Sequence, residues 1–258
     1  SIPVLLPRDD GLATRGQGAF YDEHEDAEHE VARPWDRPRF HAWLLEEKSR
    51  VALPGAAAQT VLVVCGGSGL DAELLARRGA RVLSTDISVG AARRAQERAR
   101  AREVGYDVLV ADAERLPFLD RSVDVVYVHD GLHHLSDPDR GVAEMLRVAR
   151  VAAVISEPTP SAATGVAMRL GVAERVEQAG NEVRRLDPAR LRRLAREAGF
   201  DVARVRRYGM FYRDGRGVLT RVASRPGVFP AAQAVTRILM RLTAPIGNKL
   251  VFVAVRRA

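Results

Sequence analysis

From residue 60 onward, apolar residues arrive in short unbroken runs, each followed by a stretch in which they recur every three or four positions. Unbroken runs fit strands buried on both faces, and the recurrence fits amphipathic helices. In order, TVLVVC (60–65) predicts a strand and GLDAELLARRG (69–79) a helix closed by Gly79. ARVLSTD (80–86) is a strand, VGAARRAQERARAREVG (89–105) a helix, and YDVLVAD (106–112) and SVDVVYVHD (122–130) two more strands. DPDRGVAEMLRVA (137–149) is a helix with Asp137 as N-cap and Pro138 at the first position. VAAVISEP (151–158) is the fifth strand of this series. Strands alternating with helices imply an α/β fold, a three-layer sandwich with a mostly parallel sheet covered on both faces.

The flanking segments read differently. RPRFHAWLLEEKSRVAL (37–53) predicts an amphipathic helix with Phe40, Trp43, Leu44 and Val51 on one stripe. DPARLRRLAREAGF (187–200) predicts a helix with Asp187 as N-cap and Gly199 at its exit. DVARVRRYGMF (201–211) and NKLVFVAVRR (248–257) alternate as strands near a sheet edge do. Between them PAAQAVTRILMRLTAPIG (230–247) predicts a helix with Val235, Ile238, Leu239 and Leu242 on one side. Packing on the sheet is the default expectation, with covering an acceptor pocket, contact with a lipid-like substrate, or a membrane-surface role through Arg237 and Arg241 as alternatives. The expected division is an N-terminal helical lid segment over 1–57 and a cofactor-binding domain over 58–258, with a helical insertion at about 211–247.

The strand that stops on CGGSG carries the first chemistry. Ligands of an open parallel sheet bind beyond the carboxyl ends of its strands, at the switch point. Gly66, Gly67 and Gly69 would let a ligand approach the backbone there and turn the chain into a helix whose N-terminal amides face it. Asp86 ends the next strand, where a carboxylate can accept both hydroxyls of a ribose. Asp112 ends the third, where it suits the exocyclic amine of an adenine. Glycine turn and two acids in this order point to an adenosine-bearing cofactor. GSGLDA is also a weak dinucleotide match through Gly67, Gly69 and Ala72, so a nicotinamide-dependent oxidoreductase stays open at this point.

Composition narrows the classes. The 258 residues hold no apolar run near the roughly 18 needed to span a bilayer, and the start lacks a secretory pattern. Cys65 is the sole cysteine, which excludes an intramolecular disulfide and a cysteine-rich zinc site. A cytoplasmic protein is expected. The net charge is +7, but the basic residues are nearly all Arg spread along helices, with Lys only at 48 and 249, and aromatics make up 5%. That is a solvated basic surface rather than a nucleic-acid platform.

VLVVCGGSG, RVLSTDIS, ADAERLPFLDRSVDVVYVHDGLHHLSDPDRGVAEMLRVAR and VISEP, taken in sequence, resemble a class I S-adenosylmethionine-dependent methyltransferase of the small-molecule branch. The resemblance covers about residues 58 to 160 and continues loosely beyond. It implies a seven-stranded sheet with the last strand antiparallel. It also implies that Gly66, Gly67 and Gly69 line the methionine part of S-adenosyl-L-methionine, that Asp86 binds the ribose, and that Ile87 packs on the adenine. Asp112 and Ala113 would meet the adenine edge, with His129 near the methionine end. The chain departs from the family pattern at Val63, where an acid is usual, at Cys65, where Gly is frequent, and after LRVAR, where a Pro-Gly-Gly turn is missing.

The sulfonium methyl is already electrophilic, so such an enzyme aligns the acceptor, excludes water and, for a hydroxyl, removes a proton. Base candidates at the strand tips are His129, Asp130, His133, His134 and Glu157. By resemblance to O-methyltransferases with a similar LHH stretch, His133 with Glu157 is the favoured pair, the carboxylate orienting the imidazole. Tyr21, in an N-terminal segment of the kind that closes over the cofactor, is the lid and substrate candidate. His24 and His29, among Glu23, Glu25 and Glu28, read as a solvated acidic face, and no metal is expected. HDGL (129–132) replaces the Asn/Asp-Pro-Pro-aromatic signature of nucleic-acid amine methylation, and one cysteine is too few for arsenic methylation. What remains is a small organic acceptor: a secondary metabolite, a sugar, a quinone-like ring or a modified peptide. The expected function is methyl transfer from S-adenosylmethionine to such an acceptor. The alternatives are a NAD(P)-dependent oxidoreductase and a non-catalytic cofactor-binding protein.

Overall fold

The computed structural model describes residues 2–6, 22, 38–52, 59–161, 184–209 and 217–257. Its strands are β1 (Val4–Leu5), β2 (Thr60–Val64), β3 (Arg81–Asp86), β4 (Asp107–Ala111), β5 (Val123–His129), β6 (Ala149–Pro158), β7 (Phe200–Tyr208) and β8 (Lys249–Arg256). The helices are α1 (Arg39–Ala52), α2 (Leu70–Ala76), α3 (Val89–Ala101), α4 (Pro138–Val148), α5 (Pro188–Glu197), α6 (Val218–Ala223) and α7 (Phe229–Leu242). A 3-10 turn spans Leu132–His134.

The strands form one sheet in the order β1-β4-β3-β2-β5-β6-β8-β7. Every neighbouring pair is parallel except β6 with β8 and β7 with β8, so β8 alone runs against the rest. The expected seven strands are present, with β1 as an eighth. The three residues between Pro3 and Pro7 are too few to show a period, which is why β1 is not legible in the sequence. A second correction concerns β8, which is an interior strand between β6 and β7, with Leu250, Val251 and Phe252 all buried. The edge is β7, whose burial does alternate.

Successive strand residues point to opposite faces, and the core divides accordingly. Leu62, Val64, Val126 and Val128 join one cluster with Met145 and Leu146 of α4. Val61, Val63, Val125 and Tyr127 join the other with Leu75 of α2 and Met240 of α7. This two-sided burial is what the unbroken apolar runs encode. Burying each Leu or Val fully contributes about 1.5–3 kcal/mol. Asp137 and Asp187 cap α4 and α5 as expected, accepting from the backbone N–H of Arg140 and of Ala189. At the end of the sheet remote from the glycine turn, Asp124 accepts from the Thr60 N–H at 2.9 Å and from Arg150, which lowers its carboxyl to about 2. That clamp ties the starts of β2, β5 and β6.

The order reverses between β2 and β5, which pair in parallel with Val64 opposite Val128. This is the switch point, and Cys65 and His129 are the next residues on either side of it.

Candidate active site

The glycine turn is built by the protein's own packing as well as by any ligand. Gly69 has φ +83°, and a Cβ there would stand 2.4 Å from the Tyr106 hydroxyl, so only glycine fits at the head of α2. Gly66 donates its N–H to the Thr85 carbonyl at 2.8 Å, and its α-carbon lies against Ser84. Asp86 staples the turn to the end of β3. One of its oxygens accepts from the Gly67 N–H at 2.9 Å and the other from the Ser88 N–H at 3.0 Å. These bonds fix the orientation of the carboxylate at the tip of β3.

Ser88 caps α3, accepting from the Ala91 N–H at 2.9 Å, and donates its hydroxyl to Asp22 at 2.6 Å. Asp22 also accepts from the Gly90 N–H at 2.7 Å. Asp22 is therefore held beside Ile87 at the tip of β3. Tyr21, His24 and His29 lie outside the described residues. At the tip of β4, Asp112 is buried and accepts from the Glu114 N–H at 2.8 Å through Oδ1. Ala113 beside it is buried against the core.

The tip of β5 carries a polar network the sequence reading did not identify. Asp71, in the first turn of α2, accepts from the Tyr127 hydroxyl at 3.2 Å and lies 3.2 Å from His129 Nδ1. Burial, reinforced by Asp71, pushes the Tyr127 phenol well above its ordinary value. His129 Nε2 is buried and makes no hydrogen bond among the described residues; Asp130 Oδ2 stands 3.9 Å away. Asp130 in turn takes the Lys249 ammonium at 2.5 Å. One signal was available: Lys249 is one of two lysines in an arginine-dominated chain.

The pair expected from sequence is brought together. His133 Nδ1 lies 2.6 Å from Glu157 Oε2. Glu157 is 0% exposed, and its Oε1 accepts from the N–H groups of Gly131 and Leu132 at 2.7 and 2.8 Å. A carboxylate only accepts, so with Glu157 in that form the proton of this bond sits on His133 Nδ1. Asp130, His133 and Glu157 also have a spacing that could hold a cation. Lys249 already brings positive charge to Asp130, and both Glu157 oxygens already accept hydrogen bonds.

Cys65 sits on the floor of this site at φ +51°, a left-handed conformation that side chains resist. Burial, with Asp86 and Glu157 nearby, raises its thiol well above the ordinary value, which disfavours the thiolate. Its side chain explains Gly131, where a Cβ would lie 2.3 Å from the Cys65 Cβ. Gly131→Ala should therefore destabilise the protein by about 1–3 kcal/mol, the range of overpacking. In the double variant Cys65→Gly/Gly131→Ala most of that loss should return, as seen by urea unfolding. Additive losses would show that the two residues do not compete for one space.

The sheet order, the antiparallel last strand and the glycine turn at the switch point give the chain the fold of the class I S-adenosylmethionine-dependent methyltransferases. Residues 62–155 match the family described as methyltransferase domain. The chain is 34% identical over 138 residues to the demethylmenaquinone methyltransferase of Thermobifida fusca, covering 53% of this chain and 58% of that protein. It is 42% identical over 95 residues to the ubiquinone/menaquinone biosynthesis C-methyltransferase of Acidiphilium cryptum, covering 35% and 37%. The chain thus spans about half the length or less of the curated relatives it matches. Among solved structures it resembles magnesium protoporphyrin IX methyltransferase from Synechocystis PCC 6803 with bound SAH, with TM-score 0.55, 18% identity, and coverage of 84% of this chain and 80% of that one. It also resembles the [4+2]-cyclase SpnF, with TM-score 0.61, 20% identity, and coverage of 100% and 99%. These findings do not favour a nicotinamide-dependent oxidoreductase.

Proposed function

We propose that this chain transfers the methyl group of S-adenosylmethionine to a hydroxylated aromatic acceptor of the quinol type, in the cytoplasm. The observation that carries the reading is the His133–Glu157 pair, 2.6 Å apart, beside the switch point of the fold. The relatives named for quinone methylation support the acceptor class.

The residues fit the cofactor. Asp86, oriented by two backbone N–H groups at the tip of β3, would accept from the ribose hydroxyls. Asp112 and Ala113 would take the adenine edge, with Ile87 against its face. Gly66, Gly67 and Gly69 would lie along the methionine part. His129, with Asp71 behind it, would face the methionine end, where Val63 supplies no acid. We take the stretch around Asp22, which bonds Ser88 and the Gly90 N–H, as the cover of the site and Tyr21 as its candidate contact; Val4–Leu5 belongs to the sheet instead.

When bound, the cofactor supplies an electrophilic methyl group. Glu157 would hold Nδ1–H of His133, and Nε2 is the nitrogen that would take the proton from an acceptor hydroxyl. Loss of that proton makes the oxygen the nucleophile; attack from the ring carbon beside it would require that carbon to lose its own proton afterwards, to restore the aromatic ring. Glu157 then stabilises the imidazolium, as a buried carboxylate does for any paired histidine. The test is transfer of labelled methyl from S-adenosylmethionine into a panel of hydroquinones, catechols and simple amines. Label is expected in the hydroxylated rings. Label in the amines alone would overturn the acceptor class, and none in any acceptor, with the cofactor bound, would leave a cofactor-binding protein.

A further inference from the structure

Residues 217–247 leave the end of β7 and return at Lys249, which meets Asp130 at the ligand edge of the sheet. The segment holds Arg221, Arg225, Arg237 and Arg241 and no acidic residue. Helix α7 buries Phe229 and Met240, yet Val235, Ile238, Leu239 and Leu242 are 54%, 53%, 54% and 71% exposed. Their spacing puts them on one stripe of the helix. The sequence expectation that this stripe packs on the sheet is therefore corrected: α7 docks through another side and turns its apolar stripe outward. Val218 and Leu219 of α6 and Ile246 after α7 are exposed as well. Single exposed apolar residues need no explanation, but a whole stripe does.

The charges around the stripe choose its occupant. Arg221, Arg225 and Arg241 are exposed. Arg237 is held by Glu47 of α1 at 2.9 and 3.0 Å, which neutralises that acid and leaves Glu46 as the exposed acid of α1. A second copy on a twofold axis would bring this basic face against itself, like charge on like. An apolar stripe flanked by arginines instead matches the boundary between acyl chains and anionic headgroups. We infer that α6 and α7 dock this chain on an anionic lipid surface, lying in the interface without crossing it. No helix among the described residues is long and apolar enough to cross a membrane. Docking this way would set the ligand edge of the sheet close to the lipid. The inference rests on the surface alone and is independent of the transfer reaction.

Flotation with vesicles tests it. Binding to phosphatidylcholine vesicles carrying about 30% phosphatidylglycerol should exceed binding to phosphatidylcholine alone by about tenfold or more, and should fall in high salt. Leu239→Glu/Leu242→Glu should lose about tenfold in binding with an unchanged melting curve, because both positions are exposed. Arg221→Gln/Arg225→Gln/Arg241→Gln, which changes exposed residues only, should remove the preference for anionic vesicles and serves if the first variant misfolds. Binding that ignores phosphatidylglycerol, or is equal in the unaltered chain and both variants, overturns the inference. So does a dimer in sedimentation velocity that Leu239→Glu/Leu242→Glu dissolves, since the stripe would then belong to a second copy.

Discussion

Glu157→Gln is expected to cut methyl transfer by at least about a hundredfold while changing S-adenosylhomocysteine affinity by less than about threefold. The substitution keeps the shape and the fold. Its amide oxygen can still accept from Gly131 and Leu132, the two bonds that close the turn after β5. Its amide nitrogen then faces His133 Nδ1 and must donate, which forces the imidazole into the opposite tautomer. Nε2 becomes a donor and cannot take a proton. His133→Ala should lose a similar factor, and the two changes together should lose little more than either alone, as residues acting as one unit do. Glu157→Ala differs: it leaves buried N–H groups unsatisfied, so a loss of about 1–3 kcal/mol of stability accompanies the loss of activity. If Glu157→Gln keeps more than about a fifth of the activity, the pair is a structural hydrogen bond and the base lies elsewhere.

Asp86→Ala should weaken S-adenosylhomocysteine binding by about a hundredfold or more. The carboxylate orders the glycine turn through Gly67 and the head of α3 through Ser88, and it is the proposed ribose ligand. Hydrogen bonds to a charged group contribute about 1.5–3 kcal/mol each, and two lost to the ribose give that factor. Asp86→Asn is the sharper variant. It retains an acceptor for one N–H but presents a donor to the other, so its affinity should lie between the two. A loss below about fivefold for Asp86→Ala, by calorimetry, would mean that the tip of β3 is not where the ribose sits.

The parts of the fold legible in the sequence are those in which a local pattern has one structural meaning. Runs such as VLVV and VDVVYV are buried on both faces, so their lack of alternation identified them as central strands. Asp137 and Asp187 followed by proline marked two helix starts to the residue. Acids at strand ends were legible because strand length fixes where the tip falls. Contacts across long sequence separations were not. Asp130 meets Lys249 across 119 positions and Ser88 meets Asp22 across 66, and neither pair leaves a spacing signal. Asp71 reads as a helix-start acid, and only the pairing of β2 with β5 brings Tyr127 and His129 to it. The stripe of α7 was legible as apolar, but periodicity says nothing about what a face meets.

The central claim is that an adenosine-bearing methyl donor occupies the switch point between β2 and β5, and titration calorimetry measures it directly. Saturable one-to-one heat with S-adenosylhomocysteine, and none with NADH or NADPH, is the predicted result. Heat with a nicotinamide nucleotide and none with S-adenosylhomocysteine would contradict it.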